Sequence, residues 1–300
     1  MADHALEDLV AADARLRRLG EGFQFTEGPV WLAAERCLLF NDIPGDARWR
    51  WSEEHGIELV TAPTSKANGM CLDRDGNLLI CEHVSSMLTR IRDGRREIVA
   101  FHFEGRYLNS PNDVAVRAAD GSIYFTDPNI GRLNDYIGFE RRPHLDFEGL
   151  FRIGERGGVV ELVADEREFT RPNGLCFSPD QRILYVNDSS KAHIKAFDVA
   201  PDGSLANRRV LCEGVGSGAP GPGNCDGMEC DEHGNVWVTG PGGVWVISPQ
   251  GERIGVVECP EVLGSLVWGG DDLHTLFMMS STTVHAIETI VGPAPLPGAP

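Results

Sequence analysis

The stretch Arg171-Pro172-Asn173-Gly174-Leu175-Cys176-Phe177 decides the fold, because its pattern returns throughout the chain. A polar residue is followed by a small one and then a short apolar run. Next come a turn (Ser178-Pro179-Asp180), a second apolar run (Ile183-Leu184-Tyr185-Val186) and a polar loop (Asn187-Asp188-Ser189). The unit occurs six times. Its head residues are Glu27, Asn68, Asn112, Asn173, Asp226 and Ser265, spaced 41, 44, 61, 53 and 39 residues apart.

Each head precedes a first strand, as in Gly69-Met70-Cys71-Leu72 or Gly227-Met228-Glu229-Cys230. Second runs follow within about a dozen residues, across Asp-Gly-type turns such as Arg74-Asp75-Gly76-Asn77. Third runs are Arg48-Trp49-Arg50-Trp51 and residues 88–91, 150–153, 194–197, 244–247 and 284–287. Five copies have a fourth run, at 57–60, 97–100, 159–163, 209–212 and 254–257. Four short strands per unit at these spacings predict an all-β, six-bladed β-propeller of four-stranded blades. Two stacked sandwiches are the alternative arrangement of the same strands.

The sixth copy ends after three strands, at the Pro/Gly-rich tail 292–300. The segment Arg15–Phe25 has strand-like apolar spacing and no unit of its own. It is expected to supply the missing outer strand and so close the ring, removing a sheet edge. Residues 1–14 read as a helical extension, a short amphipathic helix over 3–14. The whole of 1–300 is expected to form one propeller domain.

The formal net charge of −18 excludes a nucleic-acid partner, which needs clustered Lys and Arg. No run approaches the ~18 apolar residues of a membrane span, so no membrane partner is expected. The acidic N-terminus lacks an apolar signal core, which points to a cytoplasmic protein. None of the eight cysteines forms a C-x-x-C pair. Cys71, Cys176 and Cys230 occupy apolar strand positions expected to be buried as free thiols, whereas Cys225 sits in a loop beside Asp226.

In an up-and-down blade the first strand lines the central channel. All six head residues are then expected to face one channel mouth, although no local motif joins them. Glu27, Asn112, Asn173 and Asp226 contribute two carboxylates and two amide carbonyls. Hard oxygen donors of this kind suit one divalent cation: Ca²⁺ first, with Mg²⁺, Mn²⁺, Zn²⁺ or Fe²⁺ as alternatives. Taken singly, each is equally readable as an Asn or Asp capping a turn. A cation held by few protein ligands can polarise a carbonyl and lower the pKa of water. Asp226, flanked by Gly223-Asn224 and Gly227, is the choice for the base that takes the water's proton.

Asn68 is a candidate for water or substrate. The loops between second and third strands add Asp42, Glu82-His83, Asp127-Pro128-Asn129 and Asp188-Ser189. Of these, Glu82, His83 and Asp127, with Asn68 and Asn112, form the expected substrate-binding set. His83 would orient a hydroxylated substrate or shuttle a proton; its alternative is a loop histidine bonded to Glu82 or backbone. The third-blade loop runs to Gly149 and is long enough for a partial lid.

These residues carry a resemblance. Glu27-Gly28-Pro29-Val30-Trp31, Leu108-Asn109-Ser110-Pro111-Asn112-Asp113-Val114, Tyr124-Phe125-Thr126-Asp127-Pro128, Arg171-Pro172-Asn173-Gly174-Leu175 and Asp226-Gly227-Met228 resemble the SMP-30/gluconolactonase/LRE family. Cys81-Glu82-His83 resembles its bacterial gluconolactonase branch. The resemblance spans about residues 20–290. It implies a six-bladed propeller with a divalent cation at the channel mouth, and hydrolysis of lactones or esters. It also implies that Glu27, Asn173 and Asp226 ligate the metal, that Asp226 is the general base, and that Asn112 binds metal or substrate. Ser110 stands where the mammalian branch has Arg, which leans the substrate toward that of bacterial aldonolactonases.

The expected activity is therefore metal-dependent opening of a small-molecule sugar lactone such as glucono-δ-lactone, by a monomer or homodimer. The alternatives are hydrolysis of other esters or phosphotriesters at the same site, and a non-catalytic binding platform around a structural metal.

Overall fold

The computed structural model describes residues 4–155, 157–165, 167–216 and 222–294. Its strands form six four-stranded antiparallel sheets. Blade one is Thr26–Leu32, Cys37–Asp42, Ala47–Ser52 and Gly56–Thr61; blade two is Ala67–Leu72, Leu78–Glu82, Met87–Arg92 and Arg95–Ala100. Blade three is Val114–Val116, Ile123–Asp127, Gly149–Ile153 and Glu161–Ala164, and blade four Pro172–Phe177, Ile183–Asp188, His193–Val199 and Leu205–Glu213. Blade five is Met228–Cys230, Val236–Gly240, Gly243–Ile247 and Arg253–Glu258. Blade six takes Leu263–Gly269, Thr275–Ser280 and Thr283–Glu288 from the end of the chain. Its outer strand is Arg17–Glu21, paired antiparallel with Thr283–Glu288. The two ends of the chain thus complete one sheet, as the sequence predicts, and the edge of Thr283–Glu288 is covered.

The apolar core lies between blades. Each of six buried clusters joins one blade to the next, for example Phe125 and Phe151 of blade three with Leu79 and Cys81 of blade two. This geometry explains the continuous apolar runs of the second strands. Such a strand packs against neighbours on both faces, so every residue of Cys37–Asp42 is buried, whereas the outer strand Gly56–Thr61 is exposed at its end.

Three expectations need correction. The N-terminal extension is a single 3₁₀ turn, Leu6–Asp8. Its apolar residues serve docking: Leu9 is fully buried in the cluster between blades five and six, and its carbonyl accepts the Ile290 N–H at 2.8 Å. Burying one such leucine contributes roughly 1.5–3 kcal/mol, which a short helix on the surface would not gain. Residues 1–3 lie outside the described part.

The second correction concerns the head residues. Four of them (Glu27, Asn68, Asn173 and Ser265) lie inside the first strand, and only Asn112 and Asp226 precede theirs. In those four blades the register shifts beside the head, between Glu27 and Val30, Ala67 and Met70, Pro172 and Leu175, and Leu263 and Ser265. A β-bulge bends the strand and re-aims a side chain. The polar-then-glycine signal marks a bulge at the channel mouth.

The third correction concerns the tail. Within the described residues Pro293 bridges to Asp231 and Ala294 donates its N–H to the Cys230 carbonyl at 2.8 Å. Pro293 and Ala294 therefore dock on blade five and line the channel cavity. Residues 295–300 lie outside the described part.

Candidate active site at the channel mouth

The head residues are stitched into a ring through the glycines that follow them. A Cβ on Gly28 would collide with the Asn68 carbonyl, and one on Gly174 with the Asp226 carbonyl. Gly28 also adopts a φ of 55°, so glycine is required there on both counts. The carbonyls of successive heads are held by the preceding blade. Asn41 Nδ2 donates to Asn68 O at 2.7 Å, Thr126 Oγ1 to Asn173 O at 2.9 Å and Asn187 Nδ2 to Asp226 O at 2.5 Å. Gly69 N–H donates to Asn112 O and Gly227 N–H to Gly264 O, both at 2.8 Å. Sequence reasoning missed these clamps, although Asn41, Thr126 and Asn187 each stand fourteen residues after a head residue.

Glu27, Asn68, Asn112 and Asn173 are all buried, and Asp226 is close enough to Glu27 for its charge to raise the Glu27 pKa. Burial, then the Asp226 charge, pushes the Glu27 carboxyl well above the usual range, against an N–H···O bond from Gly28 at 2.8 Å. Burial, then Asp113, pushes Asp226 up to about 8, opposed by a hydrogen bond from the Asn173 amide. No Lys or Arg is among the groups acting on either.

The amides are oriented. Ser189 Oγ donates its single hydrogen to the Cys225 carbonyl at 2.7 Å, so it accepts from Asn173 Nδ2 at 2.9 Å. That leaves Asn173 Oδ1 without a protein partner among the described residues. The side-chain amide of Asn112 likewise has none among the described residues; its bonds are made by the backbone, N–H to Thr126 O and carbonyl from Gly69 N–H. Two desolvated carboxyls with no counter-charge, Glu27 buried and Asp226 half-buried, together with partnerless amide oxygens, fit a hard divalent cation. Among the described residues no three His, Cys, Asp or Glu gather closely enough to hold a metal without these amides.

The channel contains a cavity of about 220 Å³ whose lining includes Asp113, Glu229, Cys71 and Cys176, together with Pro293 and Ala294. Burial raises Asp113 to about 7 and Glu229 to about 8. All eight cysteines are free. Cys176 and Cys230 are buried as expected, and Cys71 is partly accessible from the cavity. Cys225 is buried, its Sγ–H donating to Asp188 O at 3.4 Å and its thiol pushed up to about 12 by burial. It is an inert thiol.

The expected substrate set divides. Asn68 and His83 meet at the mouth, with Asn68 Nδ2 and His83 Nε2 at 3.1 Å. The His83 ring is fully buried behind Asn68, and its Nδ1 lies 2.7 Å from Ile137 O. The partners of this histidine are an amide and a backbone carbonyl, and Glu82 is not one of them. Glu82 is engaged elsewhere, by Arg96 at 2.6 Å, Ser85 at 2.5 Å and Thr89 at 2.8 Å. Asp127 is fully buried and accepts the Asn109 N–H at 2.8 Å. Asp42 and Asp188 make the same bond to backbone N–H groups seventeen and eighteen residues upstream. These aspartates hold the entry loops of their blades, so Asp127 and Glu82 are not free to bind substrate.

The third-blade connection crosses blade two. Lys66 Nζ donates to Tyr136 O at 2.8 Å, and Tyr136 OH to Gln24 O at 3.2 Å. Arg132, buried, reaches Asn109 O, Leu108 O and Ser86 Oγ. It is a pinned roof over one side of the mouth.

The chain is thus a six-bladed propeller with an oxygen-rich ring of side chains at one end of its channel. The family profile of the SMP-30/Gluconolactonase/LRE-like region matches residues 25–282, and the chain belongs to that family. A gluconolactonase of Zymomonas mobilis is 28% identical over 310 residues, covering 95% of this chain and 84% of that protein. A regucalcin of Danio rerio is 29% identical, covering 85% and 82%. The solved structure of a gluconolactonase from Xanthomonas campestris superposes with a TM-score of 0.86 at 30% identity, covering 95% of this chain and 92% of that one.

Proposed function

We propose that the chain hydrolyses sugar lactones at the channel mouth with one divalent cation, Ca²⁺ by preference. The observation that carries this reading is the pair of buried Glu27 and half-buried Asp226, both desolvated without a counter-charge beside partnerless amide oxygens. Its family membership and the gluconolactonases among its relatives support the substrate class.

Glu27, Asn173 and Asp226 would hold the cation, with Asn112 as the further oxygen donor shared between cation and substrate. A divalent cation there supplies positive charge that polarises a lactone carbonyl and acidifies water. Asp226 then acts as general base. Burial disfavours its ionised form, with the carboxyl pushed up to about 8, and an adjacent positive charge would favour the carboxylate that a base needs. Its backbone is fixed on both sides, N–H to Thr239 Oγ1 at 3.0 Å and carbonyl to Asn187. Asp226 takes the proton as water adds to the lactone carbonyl, and returns it to the ring oxygen as the acyl C–O bond breaks, so that the ring opens to a hydroxy acid. Asn68 offers a hydrogen bond to a ring hydroxyl.

The test is a panel of aldonolactones, other esters and phosphotriesters, run with chelated protein and after adding back Ca²⁺, Mg²⁺, Mn²⁺, Zn²⁺ or Fe²⁺. Cation-dependent opening of aldonolactones is expected. Asp226→Ala should lower kcat by on the order of 10²–10⁴ while circular dichroism shows the fold retained. Full lactonase activity in chelated protein would sink the reading.

A further inference from the structure

We propose that the third-blade connection dictates the hydrogen-bond polarity of Asn68 through His83, so that Asn68 presents an acceptor oxygen and selects a substrate hydroxyl that donates. The inference rests on the reading of the mouth as a site for a hydroxylated lactone, and it names which group the site asks of that lactone.

The relay starts at a carbonyl. Ile137 O lies 2.7 Å from His83 Nδ1. A carbonyl only accepts, so Nδ1 carries the hydrogen. His83 is fully buried, and burial holds its pKa down at about 4, so the ring is neutral and Nε2 is left as an acceptor. Across from it, 3.1 Å away, stands the Asn68 amide. Only Nδ2 can satisfy an acceptor, so Nδ2 turns to His83 and Oδ1 turns away from it. Asn68 Oδ1 has no protein partner among the described residues, and it is not one of the sealed, unpartnered atoms of the interior. It faces the mouth.

The carbonyl that starts the relay is held in place. Arg141 Nη2 donates to His83 O at 2.8 Å, Val84 O at 2.9 Å and Ser86 Oγ at 2.7 Å. Lys66 Nζ binds Tyr136 O, the carbonyl next to that of Ile137. Gly131 of the same connection lies flat on the imidazole, where a Cβ would stand 2.7 Å from His83 Cγ. His83 is then a positioning residue. It never meets substrate, but it decides what Asn68 can recognise.

Two measurements test this. The first uses the unmodified protein without substrate: ¹⁵N chemical shifts of His83 should show the Nδ1–H tautomer at neutral pH, and an Nε2–H tautomer overturns the proposal. The second compares each monodeoxy aldonolactone with its parent. In the unmodified enzyme one deoxy isomer should show a KM about tenfold higher, the size of one lost hydrogen bond. His83→Ala should raise the parent KM about tenfold, with the loss in KM rather than kcat, and should erase the deoxy discrimination. His83→Gln, which can place an acceptor at the Nε2 position, should restore part of it. A well-folded His83→Ala enzyme that keeps the discrimination overturns the proposal. Turnover of no lactone at all overturns the functional reading instead, and the tautomer then decides the relay alone.

Discussion

Blade four and blade two each aim an amide at the channel mouth, and they do it by different means. Asn173 is oriented by Ser189, sixteen residues away in its own blade. Asn68 is oriented by His83, whose tautomer depends on Ile137, fifty-four residues further on and in the connection of another blade. The first device is part of the repeat. The second is borrowed across blades, from the one connection long enough to reach over its neighbour. The difference separates two jobs: the repeat builds the ring of oxygen donors, and an insertion into the repeat shapes what the ring can receive.

The comparison can be broken at either end. The largest effect is expected at Ser189. Ser189→Ala frees the Asn173 amide to turn, and Ca²⁺ affinity measured by isothermal titration should fall 10–100-fold, the usual cost of losing an outer partner of a metal ligand. Ser189→Thr keeps the hydroxyl and should keep the affinity. An unchanged affinity in the alanine variant would show that blade four does not use its local device.

A smaller change is expected from the borrowed one. Arg141→Ala removes three bonds that hold the roof to blade two. Amide hydrogen exchange at Ile137 and Gly138 should quicken, and KM for the lactone should rise on the order of 3- to 10-fold. Ca²⁺ affinity should stay as in the unmodified protein. A loss of cation affinity in this variant would mean that the two devices are one.

The smallest effect separates the ring from the scaffold beneath it. Burial raises Asp127 to about 7 and Glu229 to about 8. Both acids therefore bind their protons more tightly in the folded chain than in the unfolded one. Stability is then highest below the ordinary carboxyl range and falls as pH rises toward the folded values. In chelated protein the melting temperature should drop by a few degrees between pH 5 and 8.5, and Glu229→Gln should flatten part of that slope. A melting temperature that rises across this range would contradict the burial of these acids.

Much of this was readable in the chain. The six repeats, the missing strand of the sixth and its replacement by Arg17–Glu21 all follow from spacing. So does the column from Glu27 to Ser265, because pseudo-equivalent positions in a propeller must converge on its axis. Other features were not readable. The glycine after a head residue looks like a turn signal, whereas in the structure it is the room a neighbouring carbonyl needs at Gly28 and Gly174. Glu82 and Asp127 look like further acids at the mouth, yet Glu82 is committed to Arg96 and Asp127 is fully buried, its Oδ2 taken by the Asn109 N–H. Residues 3–14 have a helical apolar spacing, but Leu9 gains more from the cleft between blades five and six than a short helix would give it.

By itself the sequence determined the number of blades, the closure of the ring and the oxygen donors that meet at its mouth. All three depend on periodicity, which a linear chain displays openly. Only the tertiary structure decided which way those donors point. An amide is nearly symmetric in shape and opposite in polarity at its two ends, so its orientation is set by whatever faces it. For Asn173 that is the Ser189 hydroxyl, already committed to Cys225 O. For Asn68 it is an imidazole whose proton is placed by a carbonyl brought in from a distant connection.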